Sequence, residues 1–561
     1  MLMGSEVDHR RLRAPRNDGE SLIEPPLTAV GELLATNAQR RAAGDYDLQG
    51  RSIAQLAGPA RRQFVAAALR YTRQYRDVGD ALLGRLEALA ATMRGANLEA
   101  TLDAPPILLA GHQPQLFHPG VWFKNFALSR LAVEHAGVGV NLLIDNDAVD
   151  NAAVRVPGGS IEQPVVQYMP LDARTHEMPY EERRIADRDT FTSFGRRATE
   201  SIRPLVPHPL VETWWASAVR RAEENENLGQ CLAQARHQLE GQWGLETLEL
   251  PHSAVCESDA FCWFVAHLVA QLPRFSETYN SALADYRRQN GIRSKAHPVP
   301  NLGVHDDWLE APFWVWKTDS PRRRRLFARR AGDRIVLSDL NGWELPLDLS
   351  PESDGAAAAE VLAAQAQQGV KIRTRAIATT MYARVMLGDL FLHGIGGAKY
   401  DELTDMLIDR FFGLQPPEFM VLSATCRLPV QHEPTTPEDL RHVRWMLREL
   451  TFHPEKHIDR QTVRRGGELG ELERHVQAKR RWIESQPPET DGRARHEGIT
   501  SANRALQTYV ETQRERLLDK RDRVTAGLQT EAVLSSREYA FCLFPEERLR
   551  RLLLELSGAS S

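Results

Sequence analysis

The segment Ile107 to Glu134 constrains the fold more than any other part of this chain. Ile107-Leu108-Leu109-Ala110 is a short apolar run, the mark of a strand buried on both faces of a parallel sheet. Gly111 to Gly120 follows as a turn holding two histidines, two prolines and two glycines. Val121 to Glu134 then places Trp122, Phe126, Leu128 and Leu131 at helical spacing. Gly139 to Ile144 predicts a second strand, which ends at Asp145-Asn146-Asp147. Strand, turn, helix and strand within about 40 residues make one βαβ unit with a right-handed crossover.

The same rhythm returns far downstream. Ala376 to Leu387 reads as a helix, Leu390-Phe391-Leu392 as a strand, Gly394-Ile395-Gly396-Gly397 as a turn, Tyr400 to Phe412 as a helix and Phe419 to Leu422 as a strand. A core interrupted by a long insertion accounts for this order. The expected fold is therefore α/β, with a Rossmann-like parallel-sheet core, an inserted helical and β region, and a C-terminal antiparallel coiled coil. Residues 1–100 form a flexible and helical N-terminal segment, flexible over 1–24 and with two helices between Ser52 and Gly95. Residues 101–185 are the first part of the core. Residues 186–345 are the insertion, mostly helical over 188–291 and then with two or three strands over 311–338. Within it, Ala331-Gly332-Asp333 marks a hairpin between Arg324–Arg330 and Arg334–Leu337. Residues 346–432 resume the core. Residues 433–530 form a helical hairpin, because Leu469, Leu472, Val476 and Ile483, and then Leu506, Val510, Leu517, Val524 and Leu528, make narrow apolar seams on either side of a polar stretch with Pro487-Pro488. Residues 531–561 dock back on the core.

Composition limits the function classes. With 561 residues, 42% hydrophobic and 26% charged, the chain is globular, and a net charge of −5 argues against a general nucleic-acid coat. No stretch reaches the roughly 18 to 20 apolar residues of a membrane helix, and Met1 to Glu20 has no apolar signal core. Five scattered cysteines read as reduced thiols. A cytoplasmic protein acting on small molecules, with no nucleic acid and no membrane partner, is the expectation. The coiled coil would allow a homodimer.

Three strand ends carry the candidate chemistry, since ligands of open α/β sheets bind beyond the carboxyl ends of the strands. In the first turn, Gly111 would let the backbone approach a ligand, His112 would act as an acid or base near neutral pH, and Gln113 and His118 would flank it, with the helix N-terminus suiting a carboxylate or phosphate. At the next strand end, Asp145 and Asp147 would hold an amine, ribose hydroxyls or a metal ion. In the third, His393, Gly394, Gly396, Gly397 and Lys399 would complete an anion site facing the same crevice. The pattern is no P-loop, so the cofactor stays unassigned, with ATP or ADP open. The run Arg322 to Arg325 with Arg329 and Arg330 reads as a solvated face. His297, His305, Asp306 and Asp307 fit no family of metal sites, and no metal ligand is assigned.

Leu108-Leu109-Ala110-Gly111-His112-Gln113-Pro114-Gln115-Leu116-Phe117, then Pro119-Gly120 and a helix with Lys124, resembles the opening of the cysteine-adding enzymes of bacillithiol synthesis. The acidic cluster Asp145 to Asp147 and the turn Gly394 to Gly397 are similar to later features of that family. The resemblance implies a nucleotidyltransferase-like core and a carbon–nitrogen ligase that joins an amino-acid carboxylate to a small amine, with Lys124 among the substrate-binding residues. His112 stands where the family has Gln, and Lys399 with Asp401-Glu402 replaces an acidic residue early in the later helix. Two other readings fit the same residues: a non-enzymatic coiled-coil interaction protein on a Rossmann-like scaffold, and a metal-dependent hydrolase using His112, His118 and Asp145.

Overall fold

The structure, a computed structural model, describes residues 12–93, 104–292, 299–485 and 491–558. The expectations that fell on residues 1–11, Gly95, His297 and Pro487-Pro488 lie outside the described residues. The chain divides into two compact units, one of Met1–Val156, Gln167–Leu428 and Arg537–Ser561, the other of Pro157–Val166 and Pro429–Ser536. No helix among the described residues is long and apolar enough to cross a membrane.

The larger unit is mixed α/β. Its six-stranded sheet consists of β1 (Glu20–Glu24), β2 (Ile107–His112), β3 (Val138–Leu143), β4 (Thr247–Pro251), β5 (Leu390–His393) and β6 (Phe419–Thr425), in the order β1-β6-β5-β2-β3-β4. β1 runs antiparallel to β6, and all other neighbours are parallel. Numbered along the chain, the five parallel strands read 3-2-1-4-5 across the sheet, so the order reverses between β2 and β5. Every residue of β3 and β6 is buried, which is why these strands are apolar runs rather than alternating ones. Four helices position the strand ends: α1 (Ile53–Arg73), α2 (Pro119–Glu134), α3 (Leu228–Gln242) and α4 (Ile395–Phe412). α1 starts at a capping box made by Ser52 and Gln55. α4 stops at Gly413, whose φ of +66° is left-handed.

Two expectations need correction. Residues 20–24 form a sheet edge strand rather than a flexible lead-in. The region 186–345 is not wholly an insertion, because β4 returns to the sheet beside β3. Its sequence, Thr-Leu-Glu-Leu-Pro, puts a glutamate in mid-strand, where it pairs with the buried Arg236. The rest of that region behaves as a second, antiparallel sheet. Trp308–Lys317, Ser320–Ala331, Arg334–Ser338 and Glu344–Leu347 pair in sequence, and Val370–Thr374 pairs with the first of them. The hairpin turn falls at Ala331-Gly332-Asp333, where Ala331 pairs with Arg334 and Gly332 takes a φ of +66°.

In the smaller unit the apolar seams serve more than one pair of helices. Leu469–Glu484 packs against Gly492–Gln507, while Glu511–Leu534 packs against Pro437–Phe452. A single turn of 3-10 helix at Thr508–Val510 separates the two parts of the second seam. Leu472, Val476, Leu506 and Val510 share a small core with Leu450 and Ile458.

The join between β2 and β5 is pinned by one carboxylate. Asp389 accepts from the Ile107 amide at 2.6 Å and donates its own amide to the Ile107 carbonyl at 2.7 Å. Arg61 of α1 reaches the same carboxylate at 2.5 Å, Arg41 pairs with its other oxygen, and both partners of the Arg61 pair are at most 9% exposed. These cations hold the Asp389 carboxyl well below the usual carboxylate range. Replacing Asp389 with Ala leaves Arg61 buried without its counter-charge, and denaturant unfolding at pH 7 should show a loss of about 3–5 kcal/mol. The sign follows from the depressed pKa. The contribution is complete above the unfolded carboxylate's value of about 3.9 and disappears as the pH falls further, so wild type and Asp389→Ala should converge only in strong acid.

Candidate functional site

Because β2 and β5 are neighbours, the turn after one lies beside the turn after the other. Leu392 pairs with Ala110, which sets His393 next to Gly111. These two turns flank the point where the strand order reverses, the place where open sheets of this kind bind ligands.

Lys124 of α2 lies at this junction. It is 4% exposed, and its Nζ donates to the Gly111 carbonyl at 2.9 Å. Among the described residues no carboxylate pairs with it. Burial alone pulls its pKa down to about 8. An ammonium buried without a counter-ion is costly, and an anion arriving here would offset that cost.

His112 behaves differently from the expected near-neutral acid or base. Its ring is 6% exposed and lies against Phe117, with centroids 4.4 Å apart. Nδ1 faces the Gln113 carbonyl at 3.1 Å, and Nε2 is buried without a hydrogen-bond partner. Burial, then Arg236 and Lys124, push its pKa well below the ordinary value, so the ring is neutral at pH 7. The carbonyl partner fits a proton on Nδ1, leaving Nε2 with its lone pair.

His118 is a helix cap. Its Nδ1 accepts from the Gly120 amide at 3.1 Å, and its Nε2 lies 3.7 Å from Glu538. The tight protein contact in this turn is at Gly120. A Cβ at Gly111 would meet ordinary contacts of 3.5 Å, whereas one at Gly120 would lie 2.1 Å from the Ala424 carbonyl. The C-terminal segment supports the same turn, since the Phe541 amide donates to the Phe117 carbonyl at 2.9 Å.

On the β5 side, the expected loop Gly394 to Gly397 is the first turn of a helix, since α4 begins at Ile395. Gly394 caps it without a side chain, so α4 lacks the N-cap side-chain hydrogen bond to its first amides. His393 stacks on Phe391 at 4.3 Å, and its Nε2 lies 2.7 Å from Asp401. Asp401 in turn takes Arg384 Nη1 at 2.8 Å. Burial lowers the His393 pKa against the opposing pull of Asp401. Lys399 offers its carbonyl to the Tyr286 hydroxyl at 2.6 Å. No hydrogen bond or ion pair among the described residues ties its ammonium to Lys124, His112 or His393.

The acidic strand end is joined to the first turn. Gln113 Nε2 donates to Asp147 Oδ2 at 3.1 Å, and Arg323 Nη1 reaches Asp147 Oδ1 at 3.2 Å and the Asn146 carbonyl at 3.0 Å. Asp145 is 4% exposed and accepts from the Ser253 amide at 2.9 Å and the Ser253 hydroxyl at 2.6 Å. Burial, then the nearby Glu181 carboxylate, raises its pKa to about 7 despite those bonds. Glu181 is clamped by Arg373 through Nε at 2.9 Å and Nη2 at 2.6 Å.

Glu181, Ser253, Arg323 and Arg373 belong to this neighbourhood and were not singled out from the sequence for it. Arg323 had a signal, the arginine run, but it is not part of a merely solvated face. Its guanidinium stacks 4.9 Å from the Trp314 ring, Arg325 reaches Glu310, and Arg329 reaches Asp307. Metal ligation fares differently. His112, His118 and Asp145 do not converge; among the described residues only His237, Glu240 and Glu249 bring three ligand atoms within 4.8 Å of one another. Clefts of about 360 Å³ beside Gln63 and Glu257 and about 550 Å³ beside Arg196 and Trp215 have walls that include none of Lys124, His112 or His393.

No protein-family model matches the sequence, and a search of the curated proteins gives no match.

Gly120→Ala tests the packing of the turn. The methyl group would force the start of α2 away from β6, and melting experiments should show a loss of about 1–3 kcal/mol or more. A variant as stable as wild type would mean that the turn is not held against Ala424.

Proposed function

We propose that the crevice at the carboxyl ends of β2, β3 and β5 binds a small anion-bearing ligand, and that the chain is a carbon–nitrogen ligase joining an amino-acid carboxylate to a small amine. The observation that carries this reading is Lys124, a buried ammonium with a single carbonyl partner at the point where the strand order reverses. The 3-2-1-4-5 order supports a Rossmann-like, nucleotidyltransferase-like core, as the resemblance to the cysteine-adding enzymes of bacillithiol synthesis implies.

In this reading Lys124 and the uncapped amides at the start of α4 hold and polarise the carboxylate. The amine approaches from the Asp145–Asp147 side, where carboxylates favour an ammonium. Forming an amide requires the carboxylate to be activated, by a nucleoside triphosphate that carries one of its oxygens away as a phosphate or nucleotide leaving group, and the ammonium to lose a proton. A carboxyl group with a pKa near 7 can take it, which suits Asp145 to that role. His112, neutral and shielded by Phe117, supports the turn rather than carrying charge. The substrates are small molecules, the setting is cytoplasmic, and any homodimer would have to use a surface other than the apolar seams of the smaller unit, which pack on one another within the chain.

The test is thermal stabilisation of the full chain by cysteine, inorganic phosphate and ATP, in wild type and in Lys124→Met. A ligand that binds only the folded state adds about 2.7 kcal/mol at a hundredfold excess over its Kd. At least one anion should raise the wild-type melting temperature and fail to raise that of Lys124→Met. The variant itself should be no less stable than wild type, because a buried unpaired charge has been removed. An equal shift in both proteins rejects Lys124 as the anion site, and no shift with any anion rejects the reading itself.

A further inference from the structure

Behind α2 lies a second charged group, in which two of four carboxylate oxygens receive no donor. Arg236 and Glu240 of α3 and Glu249 of β4 are at most 2% exposed. Arg236 donates one Nη to each carboxylate. The Oε1 atom of Glu240 also accepts from Trp122 Nε1 at 2.5 Å and Asn125 Nδ2 at 2.7 Å, both on α2. The second oxygens, Glu240 Oε2 and Glu249 Oε2, are buried without a hydrogen-bond partner.

Among the described residues no second counter-ion touches either carboxylate. Arg76 is near, but its guanidinium donates to the His237 and Leu245 carbonyls. His237 Nδ1 lies 4.0 Å from Glu249 Oε2, yet its two nitrogens face the Tyr75 hydroxyl at 2.8 Å and Thr247 Oγ1 at 3.0 Å, and burial keeps it neutral. Tyr71 and Tyr75 add hydroxyls whose pKa values are raised by burial and by Glu249. Asn141, Glu249's partner across the β3–β4 ladder, is uncharged. Two touching carboxylates against one touching guanidinium leave a buried negative charge, which is expensive unless a proton or a cation neutralises it. A divalent metal on His237, Glu240 and Glu249 would put three positive charges against two carboxylates and would have to displace both partners of the His237 ring.

We propose that Glu240 and Glu249 hold one proton between them, resident on Glu249, and that this proton is a pH-sensitive latch fastening α2 to α3 and β4. The proton is placed on Glu249 because three donors converge on one oxygen of Glu240. Glu249 receives only Arg236. Its pKa stands at about 7, raised chiefly by burial. The latch matters to the crevice because Trp122 and Asn125 flank Lys124 on the same helix. The inference does not depend on the ligase reading.

For a raised carboxyl, the folded state binds the proton more tightly than the unfolded state. Stability therefore falls as the pH rises from the unfolded value of about 4.3 to about 7. Melting temperatures of the full chain are measured from pH 5 to 8 for wild type and Glu249→Gln. The amide mimics the protonated acid at every pH, so the difference, variant minus wild type, should grow by several degrees across that window. A difference that does not change with pH overturns the proposal, since it means Glu249 is already ionised. Infrared spectra of a variant with Asp145→Asn and Asp405→Asn, which removes the carboxyls otherwise raised to about 7 and about 6, supply the second measurement and leave Glu249 in place. A protonated-carboxyl band there at pH 6 that weakens by pH 8 supports the proposal, and its absence at both overturns it. A stoichiometric metal ion in the purified protein, whose removal lowers the melting temperature, also overturns it.

Discussion

The pairing of β2 with β5 is the contact on which the rest depends. The two strands are far apart in sequence, so closing the chain between them costs entropy that local packing cannot recover. Asp389 compensates with a dense set of bonds at the entrance of β5. Its amide and carboxylate fasten to Ile107, and Arg61 and Arg41 bring the N-terminal helices to the same spot. Asn37 adds a bond to the Asp389 carbonyl at 2.8 Å. With this end fixed, the strands run parallel and their far ends must emerge side by side. The adjacency of Gly111 and His393 is thus a consequence of chemistry at the opposite edge of the sheet.

At those far ends, charge is arranged in two unlike halves along one helix. Lys124 has an ammonium and no carboxylate; Asn125, its neighbour, is tied to a group with two carboxylates and one guanidinium. Were the halves in contact they would cancel. They are not, because burial is the only influence that moves the Lys124 pKa, whereas Arg236 feels both glutamates directly. The separation leaves a positive demand at the crevice and a negative one behind it. The first can be met by a ligand from outside, the second only from within.

Sequence made part of this legible. The apolar run before Gly111, the helix after it and the acidic strand end follow directly from periodicity, and they are in place. β4 stayed hidden because a mid-strand glutamate breaks the apolar pattern, and the arginine that pairs with it belongs to a different element. The start of α4 stayed hidden because three glycines in four residues have poor helix propensity, yet a Cβ at Gly397 would lie 3.0 Å from His393 Nδ1 and crowd the ring. The helical seams near the C-terminus showed that helices pack there but not which ones, since a narrow stripe fits any partner. Arg323 was lost in a charge run, whose members look alike until Asp147 and Trp314 distinguish one of them.

The same logic changes which residue of the Gly-His-Gln-Pro turn carries the weight. Histidine attracts attention because its ordinary pKa lies near neutrality. That property survives only with solvent or a counter-charge nearby, and His112 has neither: Phe117 covers it, and its charged neighbours are cations. A protonated ring would be a third positive charge beside Lys124 and Arg236. The neutral form is therefore the one compatible with the site, and it makes room for Lys124 to stay charged. Lysine, with four more units of intrinsic basicity, keeps its proton at pH 7 even after burial has lowered its pKa to about 8. The turn thus holds a buried positive charge beside a neutral imidazole, while burial and Glu181 raise the strand-end carboxyl of Asp145 to about 7.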